Sequence, residues 1–281
     1  MQSLPHLPGY ELLRCLGGGP LTAVYSARDC ENDTDCAVKV LREEWADQPT
    51  AIKLLQREAR AGLSVQHPHL VPIRHAHVTR PPYFLAMDLL PGDSLEQRLR
   101  RDYRVDLPTA LWITRQTAEA LAALHRTGFV HGDVKPDNIH LVDDGTAVLI
   151  DLGFAHRPGE NAAFFREGYV LGTVDYLAPE LCGPEPNGDQ ASDLFSLGVS
   201  IFEMLTGRLP YPSGSVAQTI RRHYCDPPTD LRHYAPTLPP ALVTLVQRLL
   251  ARRPADRPRI TAVVQQLVAL EIGALHRRRA A

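Results

Sequence analysis

The sequence predicts an α+β chain in two unequal lobes, a small antiparallel β lobe carrying one helix and a larger α-helical lobe. Two observations predict it. Short β-like runs separated by Gly, Pro and Asp/Asn dominate the stretch between Tyr10 and Asp88, and from Ser94 onward apolar residues recur at helical spacing. The division is then residues 1–87 for the small lobe, 88–93 for a connector and 94–281 for the large lobe.

The β runs cover residues 10–16, 22–28, 36–41, 70–75 and 83–87, each bounded by turn-forming residues. One helix interrupts them at 50–64, with Ile52, Leu55, Ala59 and Leu63 on roughly one face and Lys53, Arg57 and Arg60 on others. Ser94-Leu95-Glu96-Gln97 has the form of a capping box and opens the helical part. A long helix follows at 107–127, amphipathic through Leu111, Thr114, Ala118, Leu121 and Leu124 and stopped by Gly128. Two apolar runs at 139–142 and 147–150 suit a hairpin around Asp143-Asp144-Gly145. Leu194, Leu197, Ile201 and Leu205 mark a further long helix ending before Gly207, and shorter helical segments are expected at 215–224, 240–251 and 260–270.

With 281 residues, 44% of them apolar and 22% charged, the chain can bury a sizeable core and resembles neither a disordered tail nor a coiled coil. A formal net charge of −2 argues against a dedicated nucleic-acid binder. The basic end, His276-Arg277-Arg278-Arg279, reads as a solvated chain end. Cys15, Cys30, Cys36, Cys182 and Cys225 form no CxxC pair and read as reduced thiols of a cytoplasmic protein. Met1-Gln2-Ser3-Leu4-Pro5 has neither the basic start nor the apolar run of a signal peptide. No stretch reaches the roughly 18 to 20 uncharged apolar residues of a membrane span, so a soluble chain without a membrane segment is expected.

Residues 131–153 concentrate the chemistry. They place Asp133, Lys135 and Asn138 on a loop between a helix and the expected hairpin, and Asp151 directly after it. Phosphoryl transfer from a nucleotide requires a carboxylate to orient the attacking hydroxyl, a cation beside the moving group and oxygen ligands for magnesium, and these four residues can supply them. Asp133 and Asn138 also favour turns, but a turn alone leaves the placement of Lys135, Asp151 and Gly153 unexplained. Upstream, Gly17, Gly18 and Gly19 lie between two β runs, where glycines let backbone N–H groups approach phosphate oxygens closely. Lys39 sits inside an apolar β run, and Glu58 stands on the helix that follows.

From about Tyr10 to Leu270 the chain resembles a eukaryotic-type (Hanks-type) Ser/Thr protein kinase domain, nearest in flavour to the bacterial members, and the expected fold is therefore the two-lobed kinase fold. The resemblance implies that Asp133 orients the substrate hydroxyl and accepts its proton, that Lys135 serves near the γ-phosphate, and that Asn138 and Asp151 hold Mg2+ or Mn2+. It implies that Lys39, aimed by Glu58, meets the α- and β-phosphates of ATP. Val24 and Ala37 would roof the adenine pocket, Met87 is its gatekeeper, the backbone of Asp88 and Leu90 would meet adenine, and His140 takes the place of an apolar floor residue. Thr173 lies in the substrate loop. Glu180, Asp193 and Arg257 are implied to be structural: Glu180 pairs with Arg257, and Asp193 braces the backbone of the catalytic loop. The implied partners are proteins with Ser/Thr acceptors.

Several positions depart from the family pattern. Thr22 replaces the third glycine of the loop and, with Pro20, stiffens it; Leu152 replaces a phenylalanine at a packing position. Gly132 stands where regulated members carry an arginine that holds a phosphate on the activation segment. Residues 154–172 contain no Ser or Thr, only Tyr169. The expectation is a segment that reaches its working shape without Ser/Thr phosphorylation there, through contacts of Phe164 and Phe165. Two other readings stand beside the kinase one. A pseudokinase scaffold draws on Thr22 and Pro20, and a small-molecule phosphotransferase of the aminoglycoside-kinase type draws on His131-Gly132-Asp133 but generally lacks the equivalents of Lys135, the 172–180 loop and Asp193.

Overall fold

The computed structural model describes residues 4–183 and 185–280, the side chains of 277–280 excepted. The Met1-Gln2-Ser3 start and the side chains of Arg277, Arg278 and Arg279 lie outside the described residues. The small lobe is one antiparallel sheet in the order β1-β2-β3-β5-β4. Its strands are β1 (Tyr10–Gly18), β2 (Thr22–Asp29) and β3 (Thr34–Leu41), then, after helix α1 (Pro49–Ser64), β4 (Ile73–His77) and β5 (Phe84–Met87). Alternation along β3 decides where the chemistry points. Cys36, Val38 and Val40 pack on one face with Leu7, Leu12, Ala27 and Phe84. Ala37, Lys39 and Leu41 therefore face the other way, toward α1, whose Ala51, Leu55 and Ala59 pack with Leu41, Ile73 and Leu85. Register places Val24 opposite Lys39 and Met87 opposite Ala37, so these side chains share one face.

The large lobe opens with the two-residue strand β6 (Asp93–Ser94) and helices α2 (Leu95–Asp102) and α3 (Leu107–Arg126). Ser94 and Gln97 form the expected capping box at α2. Strands β7 (Ile139–Leu141) and β8 (Ala147–Leu149) make the expected hairpin and pair with β6 in the order β6-β7-β8. There follow α4 (Ala162–Arg166), α5 (Gln190–Thr206), α6 (Val216–Cys225), α7 (Leu231–Tyr234), α8 (Pro240–Leu249) and α9 (Ile260–Ala280). The main core joins α3, α5, α8 and α9 through fully buried side chains such as Leu121, Phe195, Phe202, Leu245 and Leu267. The predicted α+β architecture of two lobes is the one observed. Among the described residues, no helix is long and apolar enough to cross a membrane.

Three local expectations are corrected. The run at 70–75 is split at Pro72, which has no N–H for a ladder: Val71 donates to the Leu149 carbonyl of β8, while β4 begins at Ile73. Leu63, placed on the inner face of α1 by spacing, is 53% exposed at the helix end. The last helix runs past 270, because Arg115 Nε of α3 bonds both Glu271 oxygens at 2.9 and 3.0 Å and Ala274 is buried in the core.

Burial also sets a pH dependence. His223 is buried, its Nδ1 donating to the Leu177 carbonyl at 2.6 Å, and His156 is buried with Nδ1 2.9 Å from the Phe154 carbonyl. Burial pushes both imidazoles below their ordinary value of 6.5, with the backbone bond a partial counterweight in each. A depressed folded-state value means the unfolded chain binds more protons in the window between the two, so stability is complete above about pH 6.5 and falls as pH drops below it. Unfolding midpoints measured across that window are expected to decline with acid, less steeply in His223→Gln. An identical decline in the variant would remove His223 from the account.

Candidate active site

The cleft between the lobes is built from four pieces: the β1–β2 turn, β3 with α1, the loop between α3 and β7, and the chain after β8. In the turn, Gly18 has φ +151° and a Cβ there would meet the Thr22 carbonyl oxygen at 2.5 Å, so glycine is required. Gly19 N–H donates to the Thr22 carbonyl at 3.0 Å. From outside, Arg42 Nε donates to the Gly19 carbonyl and Trp45 Nε1 to the Pro20 carbonyl, both at 3.1 Å. This brace, invisible in the motif, holds a turn whose third glycine is Thr22, with Gly17 opposite Val24 on β2.

Lys39 Nζ donates to Glu58 Oε1 and Oε2 at 2.9 and 2.8 Å and to Asp151 Oδ1 at 2.6 Å. Lys39 and Glu58 are almost wholly buried, whereas Asp151 opens on the cleft. Burial alone would push the Lys39 ammonium down, but Asp151 and Glu58 outweigh it and hold it above its ordinary value. The Asp151 carboxyl is likewise raised by burial and brought down, to about 2, by Lys39 and the Gly153 N–H. Glu58 moves upward, because burial and the neighbouring Asp151 charge exceed the pull of Lys39. Asp151 has φ +60°, a left-handed conformation that Asp tolerates better than most residues, and its Oδ1 accepts from Gly153 N–H at 3.0 Å.

On the loop before β7, the Asp133 carboxylate gathers three donors. Oδ1 accepts from Thr173 N–H at 2.7 Å, and Oδ2 lies 3.0 Å from both Lys135 Nζ and Asn138 Nδ2. Lys135 Nζ also donates to Thr173 Oγ1 at 2.7 Å, which closes the loop before β7 onto the residue just past the 154–172 segment. Asn138 Nδ2 makes a second bond, to the Asp133 carbonyl, at 2.8 Å. The loop backbone is held from below by Asp193 in the first turn of α5, which accepts from His131 N–H at 2.8 Å and Gly132 N–H at 2.9 Å. Burial would raise the Asp193 carboxyl, but the His125 Nε2 bond at 2.8 Å and the loop amides keep it below the usual range. Gly132 has φ +82°, and a Cβ there would meet the Phe154 carbonyl oxygen at 2.9 Å.

Other expected positions fall around this centre. Met87, Asp88 and Leu90 are half-buried at the connector, where Asp88 N–H donates to the Pro72 carbonyl and its carboxylate pairs with Arg74. His140 Nε2 bonds the Pro91 carbonyl at 3.0 Å and so ties β7 to the connector. Arg257 binds Glu180 through two parallel bonds of 2.6 and 2.7 Å. Sequence reasoning missed His125, Arg42, Trp45, the Tyr176–Glu203 bond of 2.5 Å and the pairing of Arg57 and Arg60 with residues 160–161. Their partners lie far along the chain, and no spacing in the sequence records such pairs.

The model of the protein kinase domain matches residues 10–268. The chain belongs to the protein kinase family. Its bacterial relatives include the serine/threonine-protein kinase PknD of Mycobacterium tuberculosis, 33% identical over 252 residues that cover 88% of this chain and 37% of the relative. PrkC of Bacillus subtilis is 30% identical over 251 residues, covering 88% of this chain and 38% of the relative. PknA of Mycobacterium tuberculosis is 32% identical over 255 residues, covering 89% and 58%. This kinase chain thus spans about two-fifths of the length of PknD and PrkC.

Proposed function

We propose that the chain is an ATP-dependent protein-serine/threonine kinase domain that moves the γ-phosphoryl group of ATP to Ser or Thr hydroxyls of proteins. The observation that carries this reading is the closure of Asp133 and Lys135 on Thr173: a carboxylate and an ammonium held together beside the loop that would receive a protein segment. Such closure is more than a small-molecule phosphotransferase needs. Asp133 would orient the incoming hydroxyl and take its proton, with Lys135 next to the transferred group. Lys39, kept cationic by Asp151 and Glu58, would meet the α- and β-phosphates. Adenine would lie under Val24 and Ala37 against the backbone of Asp88 and Leu90.

Asn138 and Asp151 are suited to hold Mg2+, or Mn2+ in its stead. Asn138 turns its side-chain nitrogen toward Asp133, which leaves Oδ1 as a ligand, and Asp151 commits Oδ1 to Lys39 and Gly153, which leaves Oδ2. Two protein oxygens with phosphates completing the shell is how this small ion is commonly bound, and when bound it neutralises phosphate charge. The segment 154–172, without Ser or Thr and opposite Gly132, is proposed to work without Ser/Thr phosphorylation.

Lys39→Met tests the assignment. Transfer to a generic protein substrate is expected to fall by on the order of a hundredfold or more, the scale on which removing a preorganised charge acts. Parent-level activity in the variant would refute the role of Lys39.

A further inference from the structure

Between α1 and the turn before α4 lies a charged cluster that the transfer chemistry does not use. Adjacent α1 residues serve two places: Glu58 meets Lys39, and Arg57 turns to the activation segment. Arg57, nearly wholly buried, donates from Nη1 to Asn161 Oδ1 at 2.8 Å and from Nη2 to the Glu160 carbonyl at 2.7 Å. Its guanidinium lies 5.1 Å over the Phe164 ring, itself buried and edge-on to Tyr169. Three residues along α1, Arg60 Nη2 donates to Glu160 Oε1 and Oε2 at 2.8 and 2.6 Å, and Arg157 N–H adds a bond to Oε2 at 3.0 Å. The Arg60 and Arg157 guanidinium groups both stack on Phe129, at 5.5 and 5.2 Å. Glu160 is raised by its partial burial but brought below its ordinary value by Arg60 and Arg157 N–H, so the carboxylate is charged at neutral pH.

Two α1 guanidinium groups thus meet Glu160, Arg60 on its carboxylate and Arg57 on its carbonyl with Nε 4.0 Å from Oε2, and that carboxylate belongs to the chain itself. Arginines set around an activation segment suit a phosphate, yet Gly132 brings no cation and residues 154–172 no Ser or Thr. Arg57 and Arg60 share a face of α1, about 60° apart, and Glu58 lies about 100° around from Arg57. Fixing that face fixes the rotation that keeps Glu58 on Lys39.

We propose that Glu160 and Asn161 are positioning residues, a built-in carboxylate and amide that hold α1 through Arg60 and Arg57 where other segments need a phosphate. The proposal rests on the kinase reading and adds how the Lys39–Glu58 pair is kept assembled when the 154–172 segment carries no phosphate.

Glu160→Ala, the milder Glu160→Gln, and the charge swap Arg60→Glu with Glu160→Arg test it. Two readouts are needed, kinetics with ATP and a test protein, and hydrogen exchange of the α1 amides. In Glu160→Ala the expected result is a kcat about tenfold lower and a KM for ATP several-fold higher, as for a misplaced catalytic pair. Exchange in α1 is expected to quicken, Glu160→Gln to fall between, and the charge swap to recover most of the loss. Kinetic constants within about twofold of the parent in Glu160→Ala, with unchanged α1 exchange, would overturn the proposal. So would a charge swap no better than the single variants. A parent chain that transfers no phosphate contradicts the kinase reading instead, and α1 exchange then decides on Glu160 alone.

Discussion

Asp133→Asn is expected to lower phosphoryl transfer by about a thousandfold, within the range that a positioned general base contributes, with the loss in kcat. The carboxylate is buried and receives Thr173 N–H on one oxygen and Lys135 and Asn138 on the other. An asparagine fills the same volume but must point its NH2 at one of those donors, so it can neither take a proton nor satisfy all three. The mispaired hydrogen bond costs about 1–2 kcal/mol, a drop of a few degrees in unfolding midpoint, so the folded protein remains available for assay. Saturating kinetics beside thermal unfolding check both halves. A kcat within about tenfold of the parent would take the base away from Asp133.

Arg257→Ala is expected to be the most destabilising single change, by about 3–5 kcal/mol and on the order of 10 °C in midpoint. The guanidinium is fully buried and its donors are all used: Glu180 by a parallel pair, the carbonyls of Ala251 at 2.9 Å, Ala191 at 2.8 Å and Arg252 at 3.1 Å. It also lies 5.1 Å over Phe195 in the core. Alanine strands a carboxylate and three carbonyls, and among the described residues the Glu180 carboxylate keeps Ser192 Oγ, at 2.8 Å. Lysine lacks the planar fork and is expected to recover little. Since Glu180 ends the stretch that carries Thr173, activity should fall with stability. An unchanged midpoint in Arg257→Ala would contradict the structural role.

The parts of this fold legible in the sequence are those written by neighbours. Strand runs were bounded by turn residues, the α2 start by Ser94 and Gln97, and the β7–β8 hairpin by Asp-Asp-Gly between apolar runs. Lys39 is legible only together with Glu58 on the following helix and the family resemblance, since alternation with Val38 and Val40 says no more than that it faces away from them. Distance along the chain hid the rest. Arg57 and Glu160 are 103 residues apart, His125 and Asp193 are 68, and Arg115 and Glu271 are 156, and no periodicity records such pairs. Phe164 stands out in the sequence as an anchor of the segment, yet its buried ring packs under Arg57, a residue that spacing alone places on an outer face of α1. Spacing also misleads at two helix ends: α9 continues past 270 because Arg115 holds Glu271, and Leu63 falls in the exposed last turn of α1.

Phosphoryl transfer to Ser and Thr hydroxyls, with no Ser/Thr phosphate on residues 154–172, is what the proposed function requires of this kinase domain. The most direct measurement is incubation of the purified chain with MgATP and a basic test protein, followed by mass-spectrometric mapping of phosphate on both. The expected result is phosphate on Ser and Thr of the test protein, formed at about 1 to 100 turnovers per second, with residues 154–172 phosphate-free in the active enzyme. No transfer at all, or activity that rises and falls with stoichiometric phosphate on Tyr169, would contradict it.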